Sequence, residues 1–267
     1  MAAEMAREIT VLILGDVIGQ SGSRAVFAHL KQIIKSTRAD FVVVNGENAS
    51  DGFGITPELL ASFFEAGANV VTTGNHIWQQ REVLRTLDDE PRVLRPANYP
   101  PGAHGHGLYL GQVGDTPVAV LNLQGRTRMA PIDCPFRKAK DLLASLSGKA
   151  QIILVDFHAE ATEEKEAFAL YLDGQVTAVV GTHTHVPTND ARVLPKGTAF
   201  QTDLGSCGPR NAVIGFDPET SVRRALTQLP LRNEVSENAA TLNGVMVTAR
   251  PDGTATSIER YSFQSLF

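Results

Sequence analysis

Cysteine is almost absent from this chain: Cys134 and Cys207 are the only two in 267 residues. They are far apart, so no close pair offers a zinc–thiolate site or a dithiol redox motif, and both are expected to be buried or loop thiols. No apolar run approaches the roughly 18 residues that a membrane-spanning helix needs. The stretch Met1 to Glu8 alternates charges with alanines and lacks the cationic start and apolar core of a secretory signal, which makes the cytoplasm the expected address. Positive charge is not in excess either. The net charge is −5, which speaks against broad affinity for duplex nucleic acid, because such binding needs clustered Lys and Arg. Internal repeats, low-complexity tracts and a convincing linker are missing as well.

What remains is ordinary globular composition, 43% hydrophobic and 20% charged, and one domain over residues 1–267 is expected. Short apolar runs alternate with helical patterns. Strands are expected at Ile9 to Leu14, Phe41 to Val44 and Val70 to Thr73, with helices at Ser23 to Ser36, from Thr56-Pro57-Glu58 to Gly67, and at Gln79 to Leu87. A long loop is expected at Asn45 to Ile55. After a Pro/Gly-rich excursion at Pro91 to Gly107, Gly114-Asp115 joins two β-like stretches in a hairpin. Strands Gln151 to Phe157 and Thr177 to Val180 are each preceded by a helix. The remainder is mostly β, interrupted by a helix near Pro218 to Leu229, and Gly205 to Pro209 is ambiguous. Two such βα-rich stretches pack as face-to-face sheets with helices outside, an α/β/β/α sandwich of two mixed sheets.

Polar donors collect where the apolar runs stop. Asp16 follows Ile9 to Leu14, Glu47 and Asn48 follow Phe41 to Val44, Asn75 and His76 follow Val70-Val71, His158 follows Ile152 to Phe157, and His183 and His185 close Gly181-Thr182-His183-Thr184-His185. Ligands of open α/β sheets sit beyond the carboxyl ends of strands. Carboxylate, amide and imidazole donors without thiolate suit Mn, Fe, Zn or similar ions. Asp16, Glu47, Asn48, Asn75, His158, His183 and His185 are more donors than one ion needs if water also binds. Two ions roughly 3.5–4 Å apart would use them all, with Glu47, between Gly46 and Asn48 in a tight turn, as the bridge. The residues point to a metal-dependent phosphoester hydrolase.

Gly15-Asp16, Gly46-Glu47-Asn48, Gly74-Asn75-His76, His158 and Gly181-Thr182-His183-Thr184-His185 resemble, in order, the motif series of calcineurin-like metallophosphoesterases. The finer spelling, Gly-Asp-Val-Ile-Gly, Asn-Gly-Glu-Asn-Ala, Thr-Gly-Asn-His and Gly-Thr-His-Thr-His-Val-Pro-Thr, is similar to the YmdB branch. That resemblance implies a di-iron phosphodiesterase acting on cyclic nucleotides. It places Asp16, Glu47 and His185 on one metal and Glu47, Asn75, His158 and His183 on the other, and leaves His76 for proton transfer. The sequence departs from the wider family at Ile18, where a histidine is usual, and at Glu47, where aspartate is usual. Asn48 is positioned to fill the vacancy left by Ile18.

The expected reaction is hydrolysis of 2′,3′- or 3′,5′-cyclic nucleotides by a metal-bridging hydroxide, with His76 protonating the leaving oxygen. The cofactor is expected to be two divalent or mixed-valence ions, iron or manganese first and zinc third. Arg126 and Arg128 are candidate substrate contacts. His104, His106 and the loop Asp51 to Ile55 have either a closing role or none. A phosphomonoesterase of nucleotidase type and a regulatory module binding RNA or protein remain as alternatives, and homo-oligomer formation stays open. An amidohydrolase barrel fits poorly, because there the His-x-His pair comes first and the aspartate late.

Overall fold

The structure is a computed structural model that describes residues 7–266, so most of the segment read as lacking a secretory signal, Met1 to Glu8, lies outside the described residues. In chain order the first half comprises β1 (Ile9–Ile18), α1 (Gly19–Thr37), β2 (Phe41–Asn48), α2 (Pro57–Ala66), β3 (Val70–Thr72), α3 (Val83–Asp89), β4 (Leu108–Val113), β5 (Thr116–Gln124) and α4 (Pro135–Ser145). The second comprises β6 (Ile152–His158), α5 (Thr162–Leu172), β7 (Ala178–Thr182), β8 (Arg192–Val193), β9 (Ala199–Gln201), β10 (Ser206–Pro209), α6 (Pro218–Thr227), β11 (Ala240–Ala249) and β12 (Ala255–Gln264).

Two six-stranded mixed sheets result, ordered β12-β11-β10-β1-β2-β3 and β4-β5-β6-β7-β9-β8. Strand alternation explains how they stack. Val11 and Ile13 of β1, Val43 of β2, Val118 and Val120 of β5 and Leu154 of β6 share one buried cluster between the sheets. The intervening Leu12, Leu14, Val42 and Val44 join Leu30 and Ile33 of α1 and Phe63 of α2 in a second cluster. Leu121, Val155, Phe157 and Val179 meet Phe168 and Leu172 of α5 in a third. Strands apolar on both faces are what a sheet covered on both sides requires, and the α/β/β/α sandwich follows.

The expected α2 boundaries hold for the expected reason. The Thr56 side chain accepts from Leu59 N, Pro57 occupies the first turn, and Gly67 ends the helix at φ 113°. Other boundaries differ. The strand expected to stop at Leu14 runs on to Ile18, and α1 starts at Gly19 rather than Ser23. Asn45 to Asn48 form strand, not the start of a loop, because Asp16 pairs with Asn45 and Ile18 with Asn48 across the parallel ladder. Backbone pairing there overrides a polar composition. The ambiguous Gly205 to Pro209 contributes β10, which pairs with β1 at Asp16 and Val17. Helix α3 begins only at Val83, after a run of turns. Cys207 is buried and Cys134 half-buried, and both are free. No helix among the described residues is long and apolar enough to cross a membrane.

Candidate metal centre

Two sheets with parallel central strands present their carboxyl ends on one side, and the seven candidate ligands arrive there. Asp16 lies in β1, Glu47 and Asn48 end β2, Asn75 follows β3, His158 ends β6, and His183 and His185 follow β7. Asp16, Glu47 and His158 have no exposed surface. Register irregularities on either side of Asp16 against β2 mark where β1 departs from a regular ladder. Glu47 sits in this strand end rather than in the tight turn expected for it.

Donor atoms of Glu47, His158 and His183 all lie within 4.8 Å of one another. His158 Nε2 is the focus: Glu47 Oε1 is 3.0 Å away, Asn75 Oδ1 3.1 Å and His183 Nδ1 3.1 Å. Asp16 stands alongside, its Oδ2 accepting from His183 N at 3.1 Å and its Oδ1 3.8 Å from His158 Nδ1. His185 is outside the tight group, but its charge is the strongest of those acting on Asp16. Its Nδ1 meets the Ile214 carbonyl at 3.1 Å, which leaves Nε2 as the free nitrogen. The approach is close enough to dictate Gly74, where a Cβ would strike the Glu47 carboxylate and the His158 ring.

The chemistry of these donors fits a cation. Asp16 Oδ1 and Asn48 Oδ1 are buried with no hydrogen-bond partner, and Glu47 Oε1 accepts no hydrogen bond despite its imidazole neighbours. Each buried, unmet acceptor costs about 1–3 kcal/mol. The Thr182 hydroxyl donates to Asp156 Oδ1 at 2.7 Å, so its lone pair receives His158 Nδ1–H at 2.9 Å. Nε2 is then a bare lone pair aimed at three further acceptors. Bonds of this kind behind a ligating imidazole fix its tautomer.

The same crowding of charge acts on protons. Burial pushes His158 down, but the carboxylates of Glu47, Asp16 and Asp156 outweigh it and hold the imidazolium up to about 9. Burial likewise pushes Glu47 up, and His158 with His76 brings it down to about 2. Asp16 is raised to about 6 by burial against the pull of His185 and His158. His183 falls to about 3 through burial and the charge of His158. Metal binding at such a site displaces protons from its ligands.

Supports that the sequence motifs did not mark lie behind the candidate ligands. Asp156 accepts from Thr182, from Thr72 Oγ1 at 2.5 Å and from Asn45 Nδ2 at 3.0 Å. Its signal was present: Asp156 and His158 alternate with Val155 and Phe157, so a carboxylate inside an apolar run shares the histidine's face. Lys165 and Asp203, both 1% exposed, pair at 2.6 Å, and Asp203 also accepts from Thr184 N and Gly205 N. That pair braces the loop on which His183 and His185 adopt φ 101° and 65°, a strained conformation of the kind functional sites retain. Glu160 Oε2 lies 3.3 Å from His183 Nε2.

His76 stands at the rim, its side chain 24% exposed. Asn48 Nδ2 donates to Nδ1 of the neutral ring at 3.1 Å and to Gly52 O at 2.8 Å, which places the ring hydrogen of that form on Nε2. Glu47 Oε1, 3.6 Å from Nδ1, supports the charged form, while burial pulls the pKa below its usual value. His76, Glu47, Asn48, His183 and His185 line a cavity of about 370 Å³ together with Phe53, Glu160, Thr184, Ile214, Phe216 and Asn233. Arg126 and Arg128 do not line it. They are exposed beyond β5, and the Arg126 amide is held by Glu164. His104 pairs with Asp88 at 2.7 Å and His106 meets Pro91 O at 3.1 Å, both away from the cavity. The Asp51 to Ile55 loop is tied down, Gly54 N donating to Glu47 O at 2.6 Å and Ser50 N to Gly54 O at 2.9 Å.

The chain is similar in sequence and fold to known proteins. A Bacillus subtilis 2′,3′-cyclic-nucleotide 2′-phosphodiesterase is 44% identical over 89% of this chain and 90% of its own length. The crystal structure of a hypothetical protein from Thermus thermophilus superposes with a TM-score of 0.91 at 42% identity, over 96% of this chain and all of that one. A phosphatase from Mycoplasma pneumoniae gives the same score at 35% identity, over 97% and 94%. The sandwich is that of the calcineurin-like metallophosphoesterases. The model of the YmdB-like proteins matches residues 12–261, and the chain belongs to that family.

Proposed function

We propose that this chain is a metal-dependent phosphodiesterase that hydrolyses cyclic nucleotides, with 2′,3′-cyclic nucleotides as the first substrates to test and 3′,5′-cyclic nucleotides as the second. The observation that carries the reading is the focus of unpaired acceptors on His158 Nε2, bordering a cavity that His76 lines from its rim. The family membership and the activity named for the Bacillus subtilis relative support it. Asp16, Glu47, Asn48 and His185 would hold one ion, and Glu47, Asn75, His158 and His183 the other. Iron or manganese suits this imidazole-rich set, with zinc third. When bound, such ions would supply Lewis acidity and lower the pKa of water toward neutrality.

The chain's own residues do the rest. The Thr182–Asp156 pair keeps His158 Nε2 free of hydrogen, and the Lys165–Asp203 pair holds the His183 loop in register. His76 acts as the imidazolium that Glu47 Oε1, 3.6 Å from Nδ1, supports: it delivers the Nε2 proton to the departing ribose oxygen and is left as neutral imidazole with its hydrogen on Nδ1. The apolar core between the sheets draws on strands from residue 9 to residue 255, which supports a single domain. A small nucleotide as partner and a cytoplasmic address complete the reading.

Two measurements test it together: elemental analysis of the purified protein, and turnover of 2′,3′-cyclic AMP against an aryl monophosphate. We expect chelation to abolish turnover, Mn or Fe to restore it better than Mg, and the cyclic diester to be preferred. Glu47→Ala should lose both ions and roughly a thousandfold or more in kcat, whereas Asp16→Ala should lose mainly one ion. Equal rescue by Mg would count against the site, and preference for the monophosphate would make the protein a phosphomonoesterase.

A further inference from the structure

The metal-side wall of the cavity is polar, built from Glu47, His76, Glu160, His183, Thr184 and His185, but one part of the rim is not. Phe53, 38% exposed, lies on the turn that follows Asn48. It lies 5.1 Å from the His76 ring, nearly edge-on at 73°. Behind it Phe216, 7% exposed, lies 6.0 Å away at 30°. The ring is not free to swing with its loop: Phe53 N donates to Ser50 O at 2.8 Å, Gly52 N to Asn48 O at 3.1 Å, and Gln80 Nε2 to Phe53 O at 2.9 Å. A backed, tethered aromatic face beside the proton donor is an apolar plane in a site otherwise made for charge. Water covers such a plane poorly, and a flat aromatic group covers it well.

Resting on the reading of the substrate as a nucleotide, we infer that Phe53, backed by Phe216, is the nucleobase platform of this site. A ribose joins the two groups the cavity must hold at once, a phosphodiester at the Glu47–His158–His183 cluster and a base on the rim. Position fits: the platform touches His76, the residue that faces the leaving ribose oxygen, so the base stacks on the same side as the proton donor. Stacking on an aromatic face tolerates any base, since each has a π-face, and discriminates against esters with no ring to stack. Phe53 therefore selects nucleosides as a class rather than one base. No sequence motif marks this, because Phe53 and Phe216 are brought together only by the fold.

The test compares the natural diester with one that lacks a base. The ratio of kcat/KM for 2′,3′-cyclic AMP to that for glycerol 1,2-cyclic phosphate should fall about five- to a hundredfold in Phe53→Ala, the range that removing one stacking partner produces. Most of the change should lie in KM for the nucleotide. Phe53→Leu should lose most of the ratio, Phe53→Trp should keep it, and 2′,3′-cyclic UMP should show the same dependence. Metal content of each variant, measured alongside, separates base recognition from disturbance of Asn48. Binding of 3′-AMP against glycerol phosphate, followed by calorimetry, reads the platform without turnover. An unchanged ratio in Phe53→Ala, or full retention by Phe53→Leu, overturns the proposal. If 3′-AMP binds through Phe53 but 2′,3′-cyclic AMP is not hydrolysed, the platform stands and the diesterase reading falls. If the diester is hydrolysed with no dependence on Phe53, the reverse holds.

Discussion

The back wall of the site and its rim are built in opposite ways. At the back, β6 and β7 bury His158, Asp156 and Thr182 completely or nearly so, and the Asp156 carboxylate takes bonds from three strands. At the rim, His76, Phe53 and Glu160 are partly open to solvent and hang on turns and loops. A buried hydrogen bond acts in a low dielectric, and loss of a partner leaves an unmet group. An exposed contact is screened and replaceable by water. The back wall should therefore govern whether metal is held, and the rim what happens to substrate once it is.

Substitutions can break that contrast. Among substitutions that leave the metal cluster itself intact, the largest effect belongs to His76→Ala, which should lower kcat for 2′,3′-cyclic AMP by about 10²–10⁴-fold, the usual contribution of a positioned acid, with both metals retained. An aryl diester, whose leaving group needs no proton, should lose far less. Loss of metal in this variant would place His76 with the back wall. Next comes Asp156→Asn, which removes an acceptor that three donors share and frees Thr182 to turn away from His158. Metal affinity, measured by competition with a chelator, should fall roughly 10–100-fold. Unchanged affinity in a folded variant would dissolve the distinction. Smallest is Glu160→Gln: its carboxylate is 41% exposed and meets only the outer nitrogen of His183, so an effect of a few-fold or less is expected, in line with the ~0–1 kcal/mol of exposed pairs. A loss as large as that of Asp156→Asn would move Glu160 into the metal's support.

Each strand-end candidate donor was legible because a polar group that interrupts an apolar run is conspicuous, and His158 and the His183–His185 pair are clear cases. The stacking of the sheets was legible as well, since β1, β2 and β6 are apolar on both faces. Asp156 was readable but overlooked, lying as it does inside such a run. The continuation of β2 through Glu47 and Asn48 was not, because Gly46 and the amides around it carry turn propensity that only pairing with β1 overrides. Arg126 and Arg128 illustrate the converse: they follow a core strand, yet they are exposed and do not line the cavity.

The order of residues along the chain thus determined which donors exist and that they would collect at one edge of the sheets, because hydrophobic periodicity fixes where strands end. Tertiary structure alone decided their distances, the tautomer of His158, the brace of Lys165 on Asp203 and the meeting of Phe53 with Phe216. Those depend on contacts between segments more than a hundred residues apart for Phe53 and Phe216, or on hydrogen-bond geometry to an ångström, and no local pattern encodes either.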